Sequence, residues 1–598
     1  MPVDGLVLYS LLQEIEPRLR NGRVTKIFQP WANGILIRLR GMEGDVRLVL
    51  AADASLPACH ITTLQPENPL QAPVFAMVLR KHLEPARLLR IEQMGLDRVV
   101  HFVFEVHEEG GGRGERILAL ELLGQRSNLI LIDAASGTII DALRRHKDPR
   151  SRDILPGVPY ESPTPASALT DPLALDGDEL LRRLRLAAAP MKLHKLLIDH
   201  CDGIGAFAAQ QLLQQAGIDP EALRGDVDFD QLQTLVATVE QLFGAIQRAE
   251  ISPAVFAGKH GPDFWLLPPV DAANATPFPS LNDAADHVFR YMVERRAFEK
   301  LSAELLRVLR RHHARSARKL QARRQEQRQA QNAEQLRHWG DLLMVNLYQI
   351  QPGATEAVVS DYAAEGAEVR IPLDRSLSPA ANAQRYYQRY QKLKRAAAEL
   401  ERQVEMAEME LQYLEGLISS IELSEDLNAL MEIRLEMERQ GLIQSLTAQH
   451  KADSRRRRPM RSEPLKLRTS DGSIVWVGRN NRQNDYLTLR MANPNDIWLH
   501  TQKIPGSHVI LRPPNGASEP SESALLEAAE AAAYYSQARN SRNVPVDFTL
   551  RKYVRKPSGA PPGFVIYDHH KTLYVTPSEE KIMRMQLAAN EAVDDEQA

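Results

Sequence analysis

Two long stretches of the chain, residues 290–345 and 385–440, have the apolar spacing of extended helices. In the second stretch the apolar residues recur, after a first step of one heptad, at alternating intervals of four and three residues. This is the pattern of a helix that pairs with another helix along its length. The positions are Leu393, Leu400, Val404, Ala407, Leu411, Leu414, Ile418 and Ile421. The pattern predicts a coiled-coil arm between the two ends of the chain.

The two stretches carry opposite charges. Residues 307–328 contain nine basic residues and one acidic residue, a net charge of +8, whereas residues 401–439 contain three basic and eleven acidic residues, a net charge of −8. We therefore expect an antiparallel coiled coil with complementary flanks. A second interpretation is that part of the basic stretch contacts RNA, and both can hold. Short strand-like runs in residues 341–380 predict a small tip domain, because structureless loops of that length are rare.

The composition describes a folded protein of several domains. The 598 residues include 74 Lys and Arg, 77 Asp and Glu and two cysteines. Two cysteines cannot form a disulfide framework, and no Cys-x-x-Cys motif suggests zinc. The first residues lack a signal-peptide pattern and no run of about 18 apolar residues suggests a membrane span, so we expect a cytoplasmic protein. The net charge of −3 argues against a nucleic-acid partner only if the charge is evenly spread.

The changes in pattern along the chain predict a multidomain α+β protein. A mixed α/β domain is followed by a helical domain, the arm, a basic linker, a C-terminal α/β domain and a tail. The predicted boundaries are 1–170, 171–285, 286–445 with the tip at about 341–384, 446–464, 465–575 and 576–598.

The N-terminal domain has clear strand and helix signals. Alternating apolar residues predict strands, the turn sequence GMEGD predicts a hairpin between the first two, and a period near 3.6 predicts helices. The predicted strands are 34–40, 46–51, 98–105, 116–122 and 129–132, and the predicted helices are 7–19 and 75–83.

The helical domain contains the sequence GIGAFAAQQLLQQAG, from Gly203 to Gly217. A Gly-x-Gly turn that opens a helix is the form of a helix-hairpin-helix. Its backbone amides can approach a phosphate at a helix N-terminus. The alternative interpretation is a plain connection between two helices.

Catalytic motifs are missing from the sequence. It contains no GxSxG, no GxxxxGK[ST], no HExxH and no GxGxxG after a strand. The pairs His312–His313 and His569–His570 lack a recognisable set of further ligands, so we interpret them as solvated. We therefore expect no cofactor, no bound metal and no enzymatic activity.

The densest polar segment, residues 478–507, lies in the C-terminal domain. Its amides and arginines are interleaved with aromatic residues, which is typical of RNA recognition, although a polar hairpin loop would look the same. Within it we predict a strand at Asp485–Arg490. Residues 551–556 predict a basic strand with an aromatic residue inside, which favours RNA. The run Arg455–Arg458 is a solvated linker or, in such a protein, a phosphate contact.

Asp97 and Arg98 directly precede a predicted strand. One interpretation is a surface ion pair or a turn. The other is contact with a nucleic-acid backbone or base edge, in which the arginine donates a bidentate fork and the aspartate orients it.

Several segments, in this order along the chain, resemble the NFACT family. The N-terminal DGLVLYSLLQEI and GRVTKIFQP, the pair Asp97–Arg98 after FAMVLRKHL, and the segment ELLGQRSNLILID, which opens at Glu121, are similar to the N-terminal family pattern. NAQRYYQRYQKLKRA is similar to the entry into the second arm helix. GRNNRQNDYLTLRMANPNDIWLHTQKIPGSHVIL, with KPSGAPPGFVIY, resembles the family's C-terminal RNA-binding module.

The resemblance implies a ribosome quality control factor. Such proteins bind the large ribosomal subunit, with its 23S rRNA, when it is obstructed by peptidyl-tRNA, and they recruit tRNA-Ala. They direct template-free addition of alanine to the stalled chain, which marks the product for degradation. The ribosomal RNA makes the peptide bond. The N-terminal and helix-hairpin-helix domains handle tRNA, and the arm reaches a stalk-base protein. We expect a monomer on the ribosome and no membrane partner.

The site residues expected from the resemblance and the residue patterns fall into three groups. The tRNA-binding group is Asp97, Arg98 and Glu121. The C-terminal RNA-binding group is Asn480, Asn481, Arg482, Asn484, Asp485, Trp498, His500 and His508. The arm group, expected to contact rRNA, is Arg310, Arg311, Arg315, Arg318 and Lys319.

Two other functions were weighed. A DNA-repair glycosylase shares the start Met1–Pro2 and resembles the family's N-terminal fold, but residue 3 is Val3 and the zinc-finger cysteines are missing. A fibronectin-binding adhesin follows from another name of the family, but the chain shows no signal peptide or anchor. We expect neither to be the primary role.

Overall fold

A computed structural model describes residues 3–41, 44–108, 111–147, 152–163, 175–272, 274–331, 333–361, 366–444, 463–514 and 519–597. Pro2 and the predicted linker run Arg455–Arg458 lie outside these residues. The chain divides into two compact units, Met1–Arg295 and Arg296–Ala598, each with its own packing. The six predicted domain boundaries stay predictions. No helix within the described ranges is long and apolar enough to span a membrane.

The first unit is built on a nine-stranded antiparallel sheet with the order β4-β3-β2-β1-β5-β6-β7-β8-β9. Two meanders meet where β1 pairs with β5 at one residue pair, Arg23 and Arg87. All the strands predicted in this domain are present. β1 covers the segment GRVTKIFQP, which resembles the opening strand of the family, and β4, β5 and β9 are additional. The strands are β1 Arg23–Trp31, β2 Gly34–Gly41, β3 Gly44–Ala51, β4 Ala58–Ile61, β5 Arg87–Gln93, β6 Val99–His107, β7 Arg113–Glu121, β8 Asn128–Asp133 and β9 Ile139–Ala142.

Two helices cover the sheet. Helix α1 (Gly5–Leu19) begins at Asp4, whose side chain accepts a hydrogen bond from the Val7 amide and so caps the helix. Pro17 lies in the last turn of the helix, where its missing N–H removes one backbone hydrogen bond, and the helix ends two residues later. The second helix is α2 (Val74–Leu83). The predictions of both helices are confirmed.

The helical part of the first unit packs on the same apolar core as the sheet. Leu6 and Leu50 belong to one cluster of buried residues with Leu197, Leu212 and Leu235. A small three-stranded sheet follows the helices. The elements are α3 Gly177–Leu186, α4 Leu193–His200, α5 Ala206–Gln215, α6 Phe229–Gln247, β10 Ala254–Gly258, β11 Gly261–Trp265 and β12 Thr276–Pro277. The next helix, α7 (Leu281–Gln331), also begins in this unit.

The second unit contains the predicted arm. Its helices are the remainder of α7, with α8 Ala333–Val345, α9 Pro379–Glu422 and α10 Leu427–Arg439. Contacts between α7 and α9 run from Arg310 with Glu422 to Arg324 with Glu408, so numbers rise along one helix as they fall along the other. The pairing is therefore antiparallel, as predicted.

The apolar seam of the arm contains the predicted heptad positions Leu414 and Ile421, and also Leu417, which the predicted pattern omits. Leu305 and Leu309 of α7 pack with Leu414, Leu417 and Ile421 of α9. At the far end, β13 (Glu356–Asp361) and β14 (Ala367–Pro372) form a hairpin with its own small core. A strand hairpin therefore folds within the segment predicted to form the tip.

The C-terminal module is a six-stranded antiparallel sheet with the order β15-β16-β18-β17-β19-β22. One face of the sheet packs on α12 (Glu522–Tyr534). The next helix, α13 (Glu579–Gln597), adds Ile582 and Met585 to the same core. The elements are β15 Leu465–Arg468, β16 Ile474–Val477, α11 Asn481–Tyr486, β17 Ile497–Thr501, β18 Val509–Arg512, α12 Glu522–Tyr534, β19 Val544–Leu550, β20 Val554–Arg555, β21 Ile566–Tyr567, β22 Lys571–Val575 and α13 Glu579–Gln597.

Two strand predictions in this module are wrong. Asp485–Arg490 is helical, because α11 runs directly into a π-helical turn at Leu487–Met491. The Asn480 side chain accepts a hydrogen bond from the Gln483 amide and begins the helix. Residues 551–556 are not one basic strand, because Arg551–Tyr553 forms a 3₁₀ turn before the two-residue strand β20.

Candidate RNA-binding surfaces

The structure brings the three residues of the predicted tRNA-binding group together at one end of two adjacent strands. Arg98 precedes β6, Glu121 ends β7, and Val99 pairs with Glu121. The Leu122 amide donates a hydrogen bond of 2.8 Å to the Arg98 carbonyl oxygen. The backbone at this end of β6 and β7 therefore holds all three residues in a fixed register. We call this end of the two strands the Asp97–Arg98 edge.

The three side chains are not equally available. The half-buried Asp97 carboxylate accepts a hydrogen bond of 2.6 Å from the Arg98 amide, and its carbonyl oxygen accepts one of 3.0 Å from the Gln93 side chain. The Arg98 side chain is exposed. Arg98 is therefore the residue of this edge that presents a charge to a partner, and Asp97 shapes the turn that carries it.

Glu121 is fully buried, at 0% exposure. Its carboxylate accepts hydrogen bonds from Arg152 and, at 2.9 Å, from the Tyr160 hydroxyl. Burial, together with the adjacent carboxylate, raises the pKa of Tyr160 above its usual range, so the hydroxyl stays a donor. Glu121 thus supports the sheet edge from inside and is not itself presented to solvent.

Sequence reasoning missed two carboxylates beside this edge. The Asp202 carboxylate accepts hydrogen bonds from the Leu96 amide at 3.2 Å and from the Gly203 amide at 2.9 Å. The Asp4 carboxylate accepts one of 3.1 Å from the Gly205 amide. Burial raises the pKa of Asp4 to about 6, with hydrogen bonds and the Arg98 charge opposing the shift.

These contacts show how the structure uses the amides of the Gly-Ile-Gly turn. Both glycine amides already donate to carboxylates of the protein, so the turn here joins two helices and does not present those amides to a phosphate. Gly203 has a φ of +80°. A Cβ on Gly5 would lie 1.9 Å from the Leu96 carbonyl oxygen and 2.6 Å from the Gly203 Cα. Three backbone segments therefore pack directly under the Asp97–Arg98 turn and fix its position.

The arm separates its predicted group into two sets. Arg310 pairs with Glu422 at 3.4 Å, and Lys319 pairs with Glu410 at 3.7 Å. Arg311, Arg315 and Arg318 are exposed, and no described carboxylate lies within ion-pair distance of them.

The unpaired set forms a row. With Arg307, the spacings are four, four and three residues, which places the side chains on one face of α7. The buried Leu305, Leu309 and Leu320 lie on the other face, toward α9. We name Arg307, Arg311, Arg315 and Arg318 the arginine row. It presents four guanidinium groups to solvent, where phosphate oxygens can be paired.

The predicted C-terminal group is largely used inside the protein. Asn480 donates a hydrogen bond of 2.9 Å to Glu432 of the arm, and Asn481 donates one of 3.4 Å to Glu436. The Asn484 side chain accepts one of 3.0 Å from the His508 amide. These amides join α11 to the base of the arm and to β18. The Asn480–Gln483 spacing, typical of a helix cap, is the signal that could have shown this helix.

Of the remaining members of the group, Trp498, His500 and His508 line a cavity, whereas Arg482 and Asp485 do not. Asp485 pairs with Lys556, and Arg482 is half-buried. Trp498 is 0% exposed, and its ring lies 5.3 Å from His508 and 5.8 Å from His500. Burial lowers the pKa of both histidines, which favours the neutral imidazole at each. The lining comes from Asn481, Asn484, Trp498, His500 and His508, with Tyr413 and Gly416 of the arm.

An exposed basic and aromatic surface is formed by residues of the C-terminal module between β19 and β22. Tyr553 is 36% exposed, and its ring centroid lies 4.6 Å from that of His569. The Lys552 Nζ is 5.2 Å from the Tyr553 centroid, and the exposed Arg555 pairs with Asp568 at 3.5 Å. Exposed rings next to cations are what single-stranded RNA recognition uses. Part of this surface lies in the segment 551–556 predicted to favour RNA.

One further surface is apolar. The tip of the arm exposes Met344, Val345 and Tyr348, with Tyr348 at 78%. Across the described ranges no three His, Cys, Asp or Glu side chains lie together in a metal-binding cluster.

Comparison with known proteins gives matches along nearly the whole chain. The family profile described as NFACT N-terminal and middle domains matches residues 4–456, and the profile of the NFACT RNA-binding domain matches residues 464–567. A Bacillus subtilis protein named Rqc2 homolog RqcH is 34% identical over 98% of this chain and 100% of its own length.

More distant and partial matches were also found. The human ribosome quality control complex subunit NEMF is 25% identical over 42% of this chain and 24% of its own length. A solved structure of the C-terminal part of the fibronectin/fibrinogen-binding protein from Streptococcus suis covers 48% of this chain and 98% of its own, at 32% identity and a TM-score of 0.38.

Proposed function

Because the chain belongs to the NFACT family of ribosome quality control proteins, we propose that it is a non-catalytic factor that binds obstructed large ribosomal subunits in the cytoplasm and recruits tRNA-Ala. The observation that carries the proposal is similarity to a ribosome quality control protein over the full length of both chains. In this proposal the ribosomal RNA makes the peptide bonds of the alanine tail, and the protein positions the tRNA.

The arginine row supports contact with ribosomal RNA. Its guanidinium groups are exposed on a rigid helix and lack described carboxylate partners, so their charge is not neutralised within the protein. Arginine forks match phosphate oxygens in geometry as well as charge. The exposed Met344, Val345 and Tyr348 support a protein contact at the tip, because aromatic and methionine side chains are enriched at such interfaces.

The edge of the N-terminal sheet supports contact with tRNA. Arg98 is the exposed group, and Asp97 and the buried Glu121 hold the turn and strand around it. Replacement of Asp97 and Arg98 by alanine should abolish alanine tailing without unfolding the domain, because Arg98 is exposed and the half-buried Asp97 carboxylate bonds only the amide of the next residue among the described hydrogen bonds. Reporter chains that still acquire full tails in cells carrying this variant contradict the assignment.

A direct test is to purify the tagged full-length protein from cells and to sequence the RNA bound to it. The proposal expects enrichment of large-subunit rRNA and of tRNA-Ala over other tRNAs. The same purification from cells carrying the Asp97→Ala/Arg98→Ala variant should retain the rRNA and lose the tRNA. Recovery of rRNA and tRNA at the levels of an untagged control contradicts the proposal.

A further inference from the structure

A row of three cations crosses β1, β2 and β3 of the N-terminal sheet, away from the Asp97–Arg98 edge. Lys26 pairs with Arg38 in the strand register, and Arg38 pairs with Arg47. Residues directly opposite in antiparallel strands point to the same face of the sheet. We name Lys26, Arg38 and Arg47 the cation ladder.

The ladder points away from the core. The neighbouring residues Ile27, Ile37 and Leu48 point to the opposite face, and all three are fully buried there. Side chains alternate between the faces of a strand. Lys26 is exposed, and Arg38 and Arg47 are partly exposed.

Like charges in directly opposite positions destabilise a sheet, by up to about 1 kcal/mol a pair. One described carboxylate relieves this repulsion, because Asp45 pairs with Arg38 and lies 3.6 Å from Arg40. Among the described residues, no carboxylate lies within ion-pair distance of Lys26 or Arg47. The fold therefore keeps two cations, one on each side of Arg38, that do not contribute to its own stability through ion pairs.

The ladder lies along a groove. Arg38 and Arg47 line it, Phe28 and Leu36 are apolar lining residues, and the loop with Gln65 and Asn68 forms another part of the wall. The Lys26 Nζ is 5.8 Å from the centroid of the half-buried Phe28 ring. The groove thus combines cations, an aromatic ring and side-chain amides.

We propose that the cation ladder is a second RNA-binding site of the N-terminal domain, which binds consecutive phosphates of an RNA strand. Two interstrand steps of about 4.8 Å give the row a length of about 10 Å, which is longer than one phosphate group and fits a linear polyanion. Phe28 offers an apolar contact for a base or sugar, and Gln65 and Asn68 offer hydrogen bonds. The choice of RNA as the polyanion rests on the proposed function.

The test uses the full chain and compares two charge-matched variants. Lys26→Met/Arg47→Met removes the two ladder cations without described carboxylates and keeps long apolar stems. Arg90→Met/Arg113→Met removes two cations of the same sheet that pair with Glu115 and Glu105. Binding of labelled bulk tRNA and of purified large ribosomal subunits is measured over a series of potassium chloride concentrations.

The ladder variant should lose at least about tenfold in affinity for one of the two RNAs, and its log–log salt slope should fall by about two, since each lost phosphate contact removes about 0.9. The RNA that shows the loss identifies the source of the phosphates. The control variant should bind as the wild type does. The unfolding temperature of the ladder variant should equal or exceed that of the wild type, because repulsion has been removed.

The inference is overturned if the ladder variant has the same log–log salt slope as the wild type for both RNAs. It is also overturned if the variant binds both RNAs unchanged but unfolds at a lower temperature, because the ladder then has a structural role. Polyaspartate that binds the wild type as tightly as RNA and loses affinity equally in the variant indicates an acidic peptide site and also overturns it. If the double variant does not fold, the single variant Lys26→Met, at an exposed position, replaces it, and its salt slope should fall by about one. If the wild-type chain binds neither RNA, the proposed function itself is contradicted. If Arg98→Ala weakens RNA binding but the ladder variant does not, only the proposal for the cation ladder is contradicted.

Discussion

The arm and the C-terminal module both contain dense polar sequence, but the structure uses the two in opposite ways. In the arm, Arg311, Arg315 and Arg318 extend from one helix face into solvent. In the module, Asn481 and Asn484 are buried and donate to or accept from groups of the protein. Dense polar sequence therefore forms an exposed surface in one region and a buried joint in the other.

The difference comes from the geometry of the two elements. A two-helix arm has one buried seam, so cations off the seam stay in solvent. A sheet packed on both faces buries whatever covers it, and α11 with the π-helical turn covers one face of the module sheet. A buried amide must find a partner, because an unpaired one costs about 1–3 kcal/mol. The polar segment of the module therefore forms a hydrogen-bond network that joins α11 to the arm and to His508, directly before β18.

The largest effect is expected from the buried ring of the module. Trp498→Ala should destabilise the module by about 3–5 kcal/mol, because it removes a fully buried indole packed against Tyr567 and His508. Hydrogen exchange of peptides from β17 and β18 in the full chain measures this locally. Tyr553→Ala is the control at an exposed ring, where a change within about 0.5 kcal/mol is expected. Unchanged protection in Trp498→Ala would show that the ring is not part of the core and would remove the contrast with the arm.

The second effect concerns Asp4, a buried carboxylate in the first unit. Burial raises its pKa from 3.8 to about 6, so the folded protein binds its proton more tightly than the unfolded chain does. Stability from this group is therefore greatest below the unfolded pKa and is lost as the pH rises toward the folded pKa. The loss amounts to about 3 kcal/mol between about pH 4 and pH 7.

The variant Asp4→Asn isolates the pH dependence of stability that comes from the Asp4 carboxylate. Urea unfolding of the wild type and the variant across this pH range should show the stability of the wild type falling relative to the variant as the pH rises. The constant difference between the two proteins, which includes the altered contact with the Gly205 amide, does not enter the slope. Parallel pH profiles would mean that Asp4 titrates normally, and its burial would then have no electrostatic cost.

How far the sequence could predict these features depends on the distance between interacting residues. The heptads of α9 and the hairpin β2–β3 were readable because their determinants lie within a few residues. The burial of Glu121 depends on Arg152 and Tyr160, and that of Asn481 on Glu436, and these partners lie tens of residues away. The periodicity of the sequence gives no information on such distant contacts, so it does not distinguish a buried polar residue from an exposed one.

The third effect tests the exposed side of the comparison. Arg311→Gln/Arg315→Gln/Arg318→Gln should weaken binding to large ribosomal subunits on the order of tenfold or more at physiological salt, and it should lower the log–log salt slope by about three. The control Arg310→Gln/Lys319→Gln removes cations that pair with Glu422 and Glu410 and should change binding much less. Sedimentation with purified subunits measures both. Equal losses in the two variants would mean that total charge, and not the arginine row, determines binding.

The smallest effect is expected from the ion pairs across the coiled coil. Arg324 and Glu408 lie 2.7 Å apart with about half of each side chain exposed, a geometry in which a pair contributes about 0.2–1 kcal/mol. A double-mutant cycle with Arg324→Gln and Glu408→Gln, measured by thermal unfolding at low and high salt, should give a coupling energy in that range that shrinks as salt screens the charges. Because the apolar seam of Leu309, Leu414 and Leu417 then supplies most of the stability, the charges of the arm are free to be used for binding. A coupling energy several times larger would instead make the opposite charges of α7 and α9 a requirement of the fold, and the arginine row would differ from its paired neighbours only in degree.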